Sequence, residues 1–515
     1  MRTRCNSLRG AAACVIGITA LAAPRLGAQA LGSLAAERAR LAEITGDTTG
    51  IRAGGLDSAS WRVKIVGGTT LVAVGPSVRL VRNSSLPYSQ NDGALWAGRG
   101  GSTSIEGGFR ATHTLRGVTL RLAVEPMAFY SQNLPFQVFP NRTPGRSGYA
   151  NPFHGPEASL DLPHRFGDRP VLGFDFANSG MSAEFVRVAV GATTASEWGG
   201  PGIRNAIVMS NNAPGIPRFF VKTAHPLRSR IGALDAQLIS GTLTKSRFFA
   251  VAEADFRTIS GLLLQLRPAF DSTLTLGFAR TVYAPVGPDA SPTLMALSRS
   301  ADAIARWENI SATGQRSDQI GSLFARWIFP AAGFEVYGEW SRMDPPWSVT
   351  ELLTAAHYSG GWTFGFQWAQ PRRNDSFLRL QSELTYLEQS IVFPDRPTPD
   401  FYSGMASPHG YTQRGQVIGA AIGPGASSQF IAVDWLAPRW QFGAFLGRVR
   451  WDNDAMYRQP GTTFFHHDVS LLSGLRGGWR SRLSDFAAEL TVARRFNYLF
   501  QNGSVSPPGF RTVDV

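Results

Sequence analysis

Apolar and polar side chains alternate along most of the chain that follows Trp61. The clearest runs are residues 118–125, 334–341, 362–368, 378–386 and 486–497. In the third of these runs every second residue is aromatic, and the residues between are Thr, Gly and Gln. A period of two with one apolar and one polar face predicts β-strands. Such segments recur roughly every 25 residues, which predicts about 18 to 20 strands.

The same alternation is found in soluble sandwiches and in membrane barrels, so the composition of the apolar face has to separate them. Here that face is rich in aromatic residues, with Trp and Tyr near strand ends as in interfacial girdles. An open sheet cannot cross a bilayer because its edge backbone groups would lack partners in hydrocarbon. The pattern therefore predicts an all-β fold, a transmembrane antiparallel β-barrel over residues 58–500.

The first 30 residues read as a secretory signal peptide. Arg2, Arg4 and Arg9 precede an apolar stretch at residues 11–23, and small residues at 28–30 form a cleavage site. Both cysteines fall inside this segment, so the processed chain has no thiol, disulfide or cysteine metal site. An exported chain with no apolar run of about 18 residues is periplasmic, secreted or an outer-membrane barrel.

Residues 31–57 predict a short helical plug segment on the periplasmic side. In the sequence LGSLAAERARLAEI, Leu34, Leu41 and Ile44 fall near one helical face, and Gly46 ends the helix. At the other end of the chain, residues 501–515 form a tail after the last strong strand. Residues 495–500 resemble the aromatic-terminated signal that barrel insertion machinery reads, which makes that machinery an expected partner.

Three long irregular stretches interrupt the strands, at residues 135–170, 285–319 and 393–414. The second contains a predicted helix at about residues 292–306. Long ordered loops are usually functional or capping, and in bacterial barrels the long loops are extracellular. We expect these three to fold over the mouth of the barrel, which disfavours a freely conducting general porin.

The net charge of the chain limits the classes of partner that we expect. The chain carries 50 Lys and Arg against 37 Asp and Glu, a net charge of +13. Loss of residues 1–30 removes four arginines and no acid, which leaves +9. An exported chain rarely meets nucleic acid, so we predict no nucleic-acid partner, and acidic polysaccharide or lipopolysaccharide is the more available anion.

One stretch, residues 196–219, reads SEWGGPGIRNAIVMSNNAPGIPRF. Gly199, Gly200, Pro201 and Gly202 predict a tight turn, and Asn211 and Asn212 each carry donor and acceptor groups. An aromatic, several amides and two arginines in so few residues suit a wet binding surface. A glycine-rich hairpin with a polar tip is the alternative.

This sequence resembles the central motif of the capsule assembly Wzi family of outer-membrane proteins, which carry a Trp-Gly-Pro-Gly turn and a Ser-Asn-Asn-Ala-x-Pro segment. The turn here has an extra glycine. Two further strings are also similar to the family: NDGALWAGRG at residues 91–100 and HGYTQRGQVIG at residues 409–419. Members often have a histidine where this chain has Gln413. The family is described as barrels plugged by a periplasmic helical bundle, whereas this chain offers about one helix.

The resemblance implies an 18-stranded outer-membrane barrel that works as a non-enzymatic surface lectin and anchors or organises capsular or exopolysaccharide. Sugar rings stack on aromatic faces, and their hydroxyls pair with amides, carboxylates and arginine. The residues that fit those roles are Asn91, Asp92, Trp96, Arg99, Trp198, Asn211, Asn212, Tyr411 and Arg414. Outer-membrane lipid is an expected partner, and a polysaccharide export channel is a further candidate.

Two other functions stay open. A selective or gated porin for oligosaccharides or other small solutes would use the polar inward faces for conduction. A barrel hydrolase would assemble acids and histidines from separate strands, but no nucleophile motif or metalloprotease helix occurs, so no catalytic site is predicted. No metal or cofactor is predicted either. Neighbours such as His466 and His467 on a strand point to opposite faces, which makes a shared ion difficult.

Overall fold

One antiparallel sheet of 22 strand segments closes on itself. The computed structural model describes residues 13–21, 34–46, 60–65, 68–154, 159–249, 254–306, 316–343, 348–389, 400–459, 464–481 and 484–501. The strands of the first half are β1 (Ala13–Leu21), β2 (Ser60–Ile65), β3 (Thr69–Asn83), β4 (Gly100–Leu115), β5 (Val118–Val124), β6 (Met127–Ser131), β7 (Val171–Asp175), β8 (Gly180–Glu184), β9 (Val188–Thr193), β10 (Arg218–Thr223), β11 (Leu227–Ser229) and β12 (Gly232–Thr244).

The second half continues the wall. Its strands are β13 (Phe256–Pro268), β14 (Leu274–Pro285), β15 (Asp318–Phe329), β16 (Phe334–Met343), β17 (Gly360–Pro371), β18 (Phe377–Tyr386), β21 (Ser427–Leu436), β22 (Trp440–Arg450), β23 (Val469–Arg480) and β24 (Asp485–Phe496). A separate small hairpin pairs β19 (Thr412–Gln413) with β20 (Gln416–Val417). The helices are α1 (Leu34–Thr45), α2 (Pro292–Ser298), α3 (Asp302–Ala305), α4 (Val349–Thr354) and α5 (Asn453–Arg458).

Several segments share one position in the wall. β4 pairs with both β5 and β6, which in turn pair with β8 and β7, and β12 pairs with both β10 and β11. β1 and β2 likewise pair with different parts of β3. Four positions therefore hold two segments each, and the 22 described segments occupy 18 positions. The predicted barrel of about 18 strands is confirmed.

The position between β24 and β3 is occupied by β1, which lies within the predicted signal peptide. Removal of residues 1–30 stays a prediction. Residues 47–59 and the tail at residues 502–515 lie outside the described residues.

The wall is apolar outside and polar inside. On the outer face of β17, Trp362 is 41% exposed and Phe364 is 45% exposed. On its inner face, Thr363 and Gln367 are buried towards the lumen. A water-soluble sandwich buries its apolar face, so this inverted arrangement identifies a membrane-spanning barrel. The alternation in the sequence predicted which residues lie on each face. None of the described helices is long and apolar enough to cross a membrane.

The two ends of the barrel differ. At one end the strands are joined by short turns, such as residues 116–117 and 437–439. At the other end the connections are long, and the described parts of the three predicted loops at residues 135–170, 285–319 and 393–414 begin there. The predicted helix in the second loop is divided into α2 and α3, and the carbonyl of Ala296 in α2 accepts the Ser240 hydroxyl of β12. We call these connections the loop layer.

The predicted short N-terminal helix is present as α1, which docks at the short-turn end, and its periplasmic location stays a prediction. Leu41 and Ile44 pack on Ala369, Phe377 and Leu436 of the wall. Charged residues of the helix pair with the wall, although Glu43 is also exposed to solvent. The partners are Glu37 with Arg379, Arg40 with Glu335, and Glu43 with Arg326.

Candidate functional site

The motif segment at residues 194–217 leaves the wall after β9, passes into the lumen and returns at β10. Glu383 on β18 accepts hydrogen bonds from three successive backbone amides, those of Ile203, Arg204 and Asn205, at 2.5 to 3.2 Å. Glu339 on β16 accepts from Ile207 at 3.1 Å. Successive amides that converge on one carboxylate form an anion-binding nest. The segment is therefore fixed inside the barrel by the carboxylates of its own wall.

The connection between β18 and β21 enters the lumen in the same way. Asp318 at the start of β15 accepts from the amides of Met405, Ala406 and Ser407 at 2.7 to 3.1 Å. The hydroxyl of Tyr402 donates to Ile207 of the motif segment at 2.8 Å and accepts from Ala420 at 2.8 Å. We call residues 194–217 and 400–426 together the plug.

The three family-like strings meet in the plug. The Asn211 side chain donates to the carbonyl of Asn91 at 3.0 Å, and the Asn91 amide donates to the Asn212 side chain at 3.2 Å. Asn212 also donates to Val417 at 2.9 Å, and Gln416 donates to the Asn212 carbonyl at 3.1 Å. The sequence singled out these strings separately, and the structure explains them as one amide network.

The remaining motif residues support that network. The predicted turn at Gly199, Gly200, Pro201 and Gly202 is present, and Trp198 closes it by donating from Nε1 to the Gly202 carbonyl at 2.9 Å. A Cβ at Gly200 would collide with the Glu339 carboxylate, so the turn needs glycine there. The interpretation of this stretch as a wet surface is corrected by the burial of its amides, since Asn205, Asn211 and Asn212 are each less than a tenth exposed.

The other predicted residues are placed as follows. Tyr411 is fully buried, with its ring 5.2 Å from that of Tyr283. Asp92 is buried and pairs with Arg79, Arg99 donates to the carbonyls of Ser84 and Pro135, and Arg414 pairs with Asp175 at 2.8 Å. Their contact with polysaccharide stays a prediction.

A cavity of about 290 Å³ lies in the loop layer above the plug. We call it the loop cavity. Its floor comes from the family-like strings and includes Trp96, Asn212 and Gln416. Aromatic side chains from three connections and from the residues after β24 form its walls: Tyr88, Phe136, Phe153, Phe166, Trp451 and Tyr498. Of the nine predicted binding residues, Trp96 and Asn212 line this cavity.

Three polar atoms at the loop cavity have no hydrogen-bond partner within the described part of the chain. They are Nε2 of Gln90, Nδ1 of His164 and Oδ1 of Asp452. Gln90 is oriented by Tyr88, whose hydroxyl donates to Oε1 at 3.0 Å and leaves the amide nitrogen to donate elsewhere. Burial lowers the pKa of His164 to about 3, so its imidazole is neutral. The cavity thus combines aromatic surface with both donors and acceptors.

A buried ion cluster stands behind the wall of the loop cavity. His154 contacts Asp452 through Nε2 at 2.8 Å and Asp400 through Nδ1 at 3.2 Å, and Arg458 pairs with Asp400. The ligand atoms of the histidine and the two aspartates lie within 4.8 Å of one another, which is compatible with a metal ion. However, both imidazole nitrogens already face carboxylates, so a protonated His154 fits better. The cluster joins the β6–β7, β18–β21 and β22–β23 connections.

This cluster predicts a pH dependence. The two aspartates raise the pKa of His154 from 6.5 to about 10 despite its burial. Its contribution to stability is full below about pH 6.5, declines as the pH rises towards about 10, and is lost above that value. Asp454, whose pKa burial also raises, acts in the same direction. We expect proteolysis of the loop layer to accelerate over this window.

The comparison variant is His154→Gln, which cannot titrate. Removing one partner of a buried ion pair costs about 3–5 kcal/mol, so this loop layer should already be labile at pH 6. Its cleavage rate should change less between pH 6 and 10 than that of the unaltered protein, with Asp454 as the remaining source of the response. An equal pH response in both proteins would show that another group controls the loop layer.

Sequence reasoning missed most of the cavity walls. Tyr88 and Gln90 lie immediately before the family-like string at residues 91–100. Their position next to this string could have identified them as candidates. Phe153, Trp451 and Tyr498 were not, because they come from connections about 300 residues apart that only the closed barrel brings together.

One family model and several solved structures are similar to this chain. The family model described as capsule assembly protein Wzi matches residues 91–484, well over half of the chain. Among solved structures, Wzi of Escherichia coli, described as a carbohydrate-binding β-barrel involved in group 1 capsule assembly, is 11% identical, with 93% of this chain and 83% of that chain covered and a TM-score of 0.47. OccAB2 of Acinetobacter baumannii is 9% identical, with 94% and 98% covered and a TM-score of 0.36. A comparison with curated protein sequences gives no match.

Proposed function

Since the chain belongs to the capsule assembly Wzi family, we propose that it is an outer-membrane barrel that binds capsular or exopolysaccharide in the loop cavity. By holding the polymer it anchors the polymer at the cell surface. The observation that carries this proposal is the composition of the cavity, in which aromatic walls surround unpartnered donors and acceptors. Aromatic rings stack on the apolar faces of sugars, and polar atoms pair with hydroxyls.

The environment of the two carboxylates that line the cavity supports binding of the polymer without catalysis. Asp468 is held by Arg495 through two bonds of 2.7 Å, and Asp452 is held by His154. A general acid or base must exchange its proton with the substrate, and a carboxylate held by a cation is poorly suited to that. The plug also supports binding over conduction, because α1 and both inward segments occupy the lumen beneath the cavity.

The test is the partition of polysaccharide between cell surface and medium. Deletion of the gene should leave total polymer unchanged and move it into the medium, and the unaltered gene should restore surface retention. Trp96→Ala should fail to restore it, because the floor loses its large aromatic face, and purified Trp96→Ala should bind the polymer at least roughly tenfold more weakly.

The matched control is Trp440→Ala, which removes a tryptophan of β22 at the short-turn end. This variant should restore retention fully. Unchanged partition after gene deletion would remove the support for anchoring. Equal behaviour of the two tryptophan variants would place binding outside the loop cavity.

A further inference from the structure

We infer that the loop cavity selects an uncharged sugar residue and rejects an acidic one, an inference that rests on the proposed function. The net positive charge of the chain points the other way, towards acidic polymers. The local charges of the cavity decide the matter because a bound residue is removed from water and responds to its immediate surroundings.

Every charge at the cavity is already paired. The described lining residues contain one permanent cation, Arg495, whose Nε and Nη2 reach Asp468 and whose guanidinium lies 5.1 Å from the centre of the Trp451 ring. Behind the wall, His154 and Arg458 balance Asp452 and Asp400. The remaining titratable residues of the lining are neutral, because burial lowers the pKa of His164 and raises the pKa of Tyr88 and of Tyr498. A uronic acid would therefore bury a carboxylate without a free cation to receive it, which is costly.

The unpartnered atoms also favour hydroxyls. Oδ1 of Asp452 can only accept, and it would repel a second carboxylate. Nε2 of Gln90 can only donate, and neutral His164 can serve in either role. A sugar hydroxyl both donates and accepts, so it can satisfy such a mixed set, whereas a carboxylate satisfies the donor alone.

The volume limits the length of the ligand. Small-molecule pockets span roughly 300–1,000 Å³, and the loop cavity, at about 290 Å³, lies at the lower limit. It suits one or two sugar rings. The structure thus assigns recognition to a short neutral unit of a longer polymer, while charged units of that polymer would remain outside the cavity.

The experiment compares cellobiose with cellobiouronic acid, which differs by one carboxylate, on the purified full chain in detergent. Ligand-observed NMR titration should show cellobiose binding at least roughly tenfold more tightly, because an uncompensated buried charge costs more than the 1.4 kcal/mol of one tenfold step. Cellobiose affinity should change little between low and high salt. Gln90→Ala should weaken it, and Gln132→Ala, at the edge of the same layer, should not.

The outcomes separate the two claims. Tighter or strongly salt-dependent binding of the acidic disaccharide would overturn the selectivity and leave polysaccharide binding intact. If Gln90→Ala leaves the affinity for cellobiose unchanged, recognition takes place outside the loop cavity. If neither disaccharide binds and purified protein also fails to retain the polymer, both the selectivity and the proposed function fail.

Discussion

Glu383→Ala is expected to open the barrel to ions. The side chain is buried and holds three amides of the motif segment, and it also accepts the Tyr337 hydroxyl at 2.9 Å. Alanine leaves all of these donors without their partner inside the lumen. Each buried unsatisfied donor costs about 1–3 kcal/mol, so the plug should lose on the order of 3 kcal/mol or more.

Single-channel recording in planar bilayers measures the effect. The unaltered protein should stay closed for most of the recording, and Glu383→Ala should show steady openings. Glu383→Gln retains one acceptor oxygen and should be intermediate. Heat-dependent mobility in detergent gels confirms that each variant still forms the barrel.

Glu489→Ala is the matched control, since this strand carboxylate accepts a hydrogen bond from Thr491, its neighbour on β24. It should remain as closed as the unaltered protein. If Glu383→Ala stays equally closed, the wall carboxylates do not hold the plug. Frequent openings of the unaltered protein would instead support the alternative function, a selective porin.

Gly419→Ala should separate the two inward segments. A Cβ at this position would collide with the Ile207 carbonyl and with the Tyr402 hydroxyl. That hydroxyl joins the two segments through hydrogen bonds to Ile207 and Ala420. Displacement of the Tyr402 side chain would therefore break both hydrogen bonds. Overpacking of a tight interior costs about 1–3 kcal/mol, and here lost hydrogen bonds add to it.

The measurable results are a lower thermal unfolding midpoint and faster proteolysis within residues 400–426. Polysaccharide binding should fall as well, because the floor of the loop cavity rests on the same joint. Gly148→Ala makes the same chemical change where an added Cβ meets nothing within 4 Å, and it should behave as the unaltered protein does. Indistinguishable stability of the two variants would mean that the segments are not packed as described.

The wall was predictable from the sequence because its signal is local. Alternation in residues 334–341 and 362–368 fixes both the strands and their lipid-facing sides, and a membrane barrel needs little else. The face of α1 followed from the spacing of Leu41 and Ile44 in the same way. Only the pairing of its charged face was unforeseen, since Arg379 and Glu335 are some 300 residues distant.

The plug segments were recognisable from the sequence, but the partners of their side chains were not. Polar, glycine-rich residues usually face water, so Asn211 and Trp198 appeared suited to a ligand. Their side-chain nitrogens donate to backbone carbonyls in the lumen, which offsets part of the cost of burying these polar groups. The carboxylates that make this possible, such as Glu383, stand on strands whose periodicity reveals that they face inward but not what they hold.

The plug network also bears on how the protein reaches its final state. Its hydrogen bonds join residues 121 positions apart (Asn91 and Asn212), 205 positions apart (Asn212 and Val417) and 323 positions apart (Gln416 and Gly93). Contacts of such sequence separation form late, because the intervening chain must first be ordered. The carboxylates that hold the plug stand on wall strands, so the plug can be ordered only where those strands are already in place.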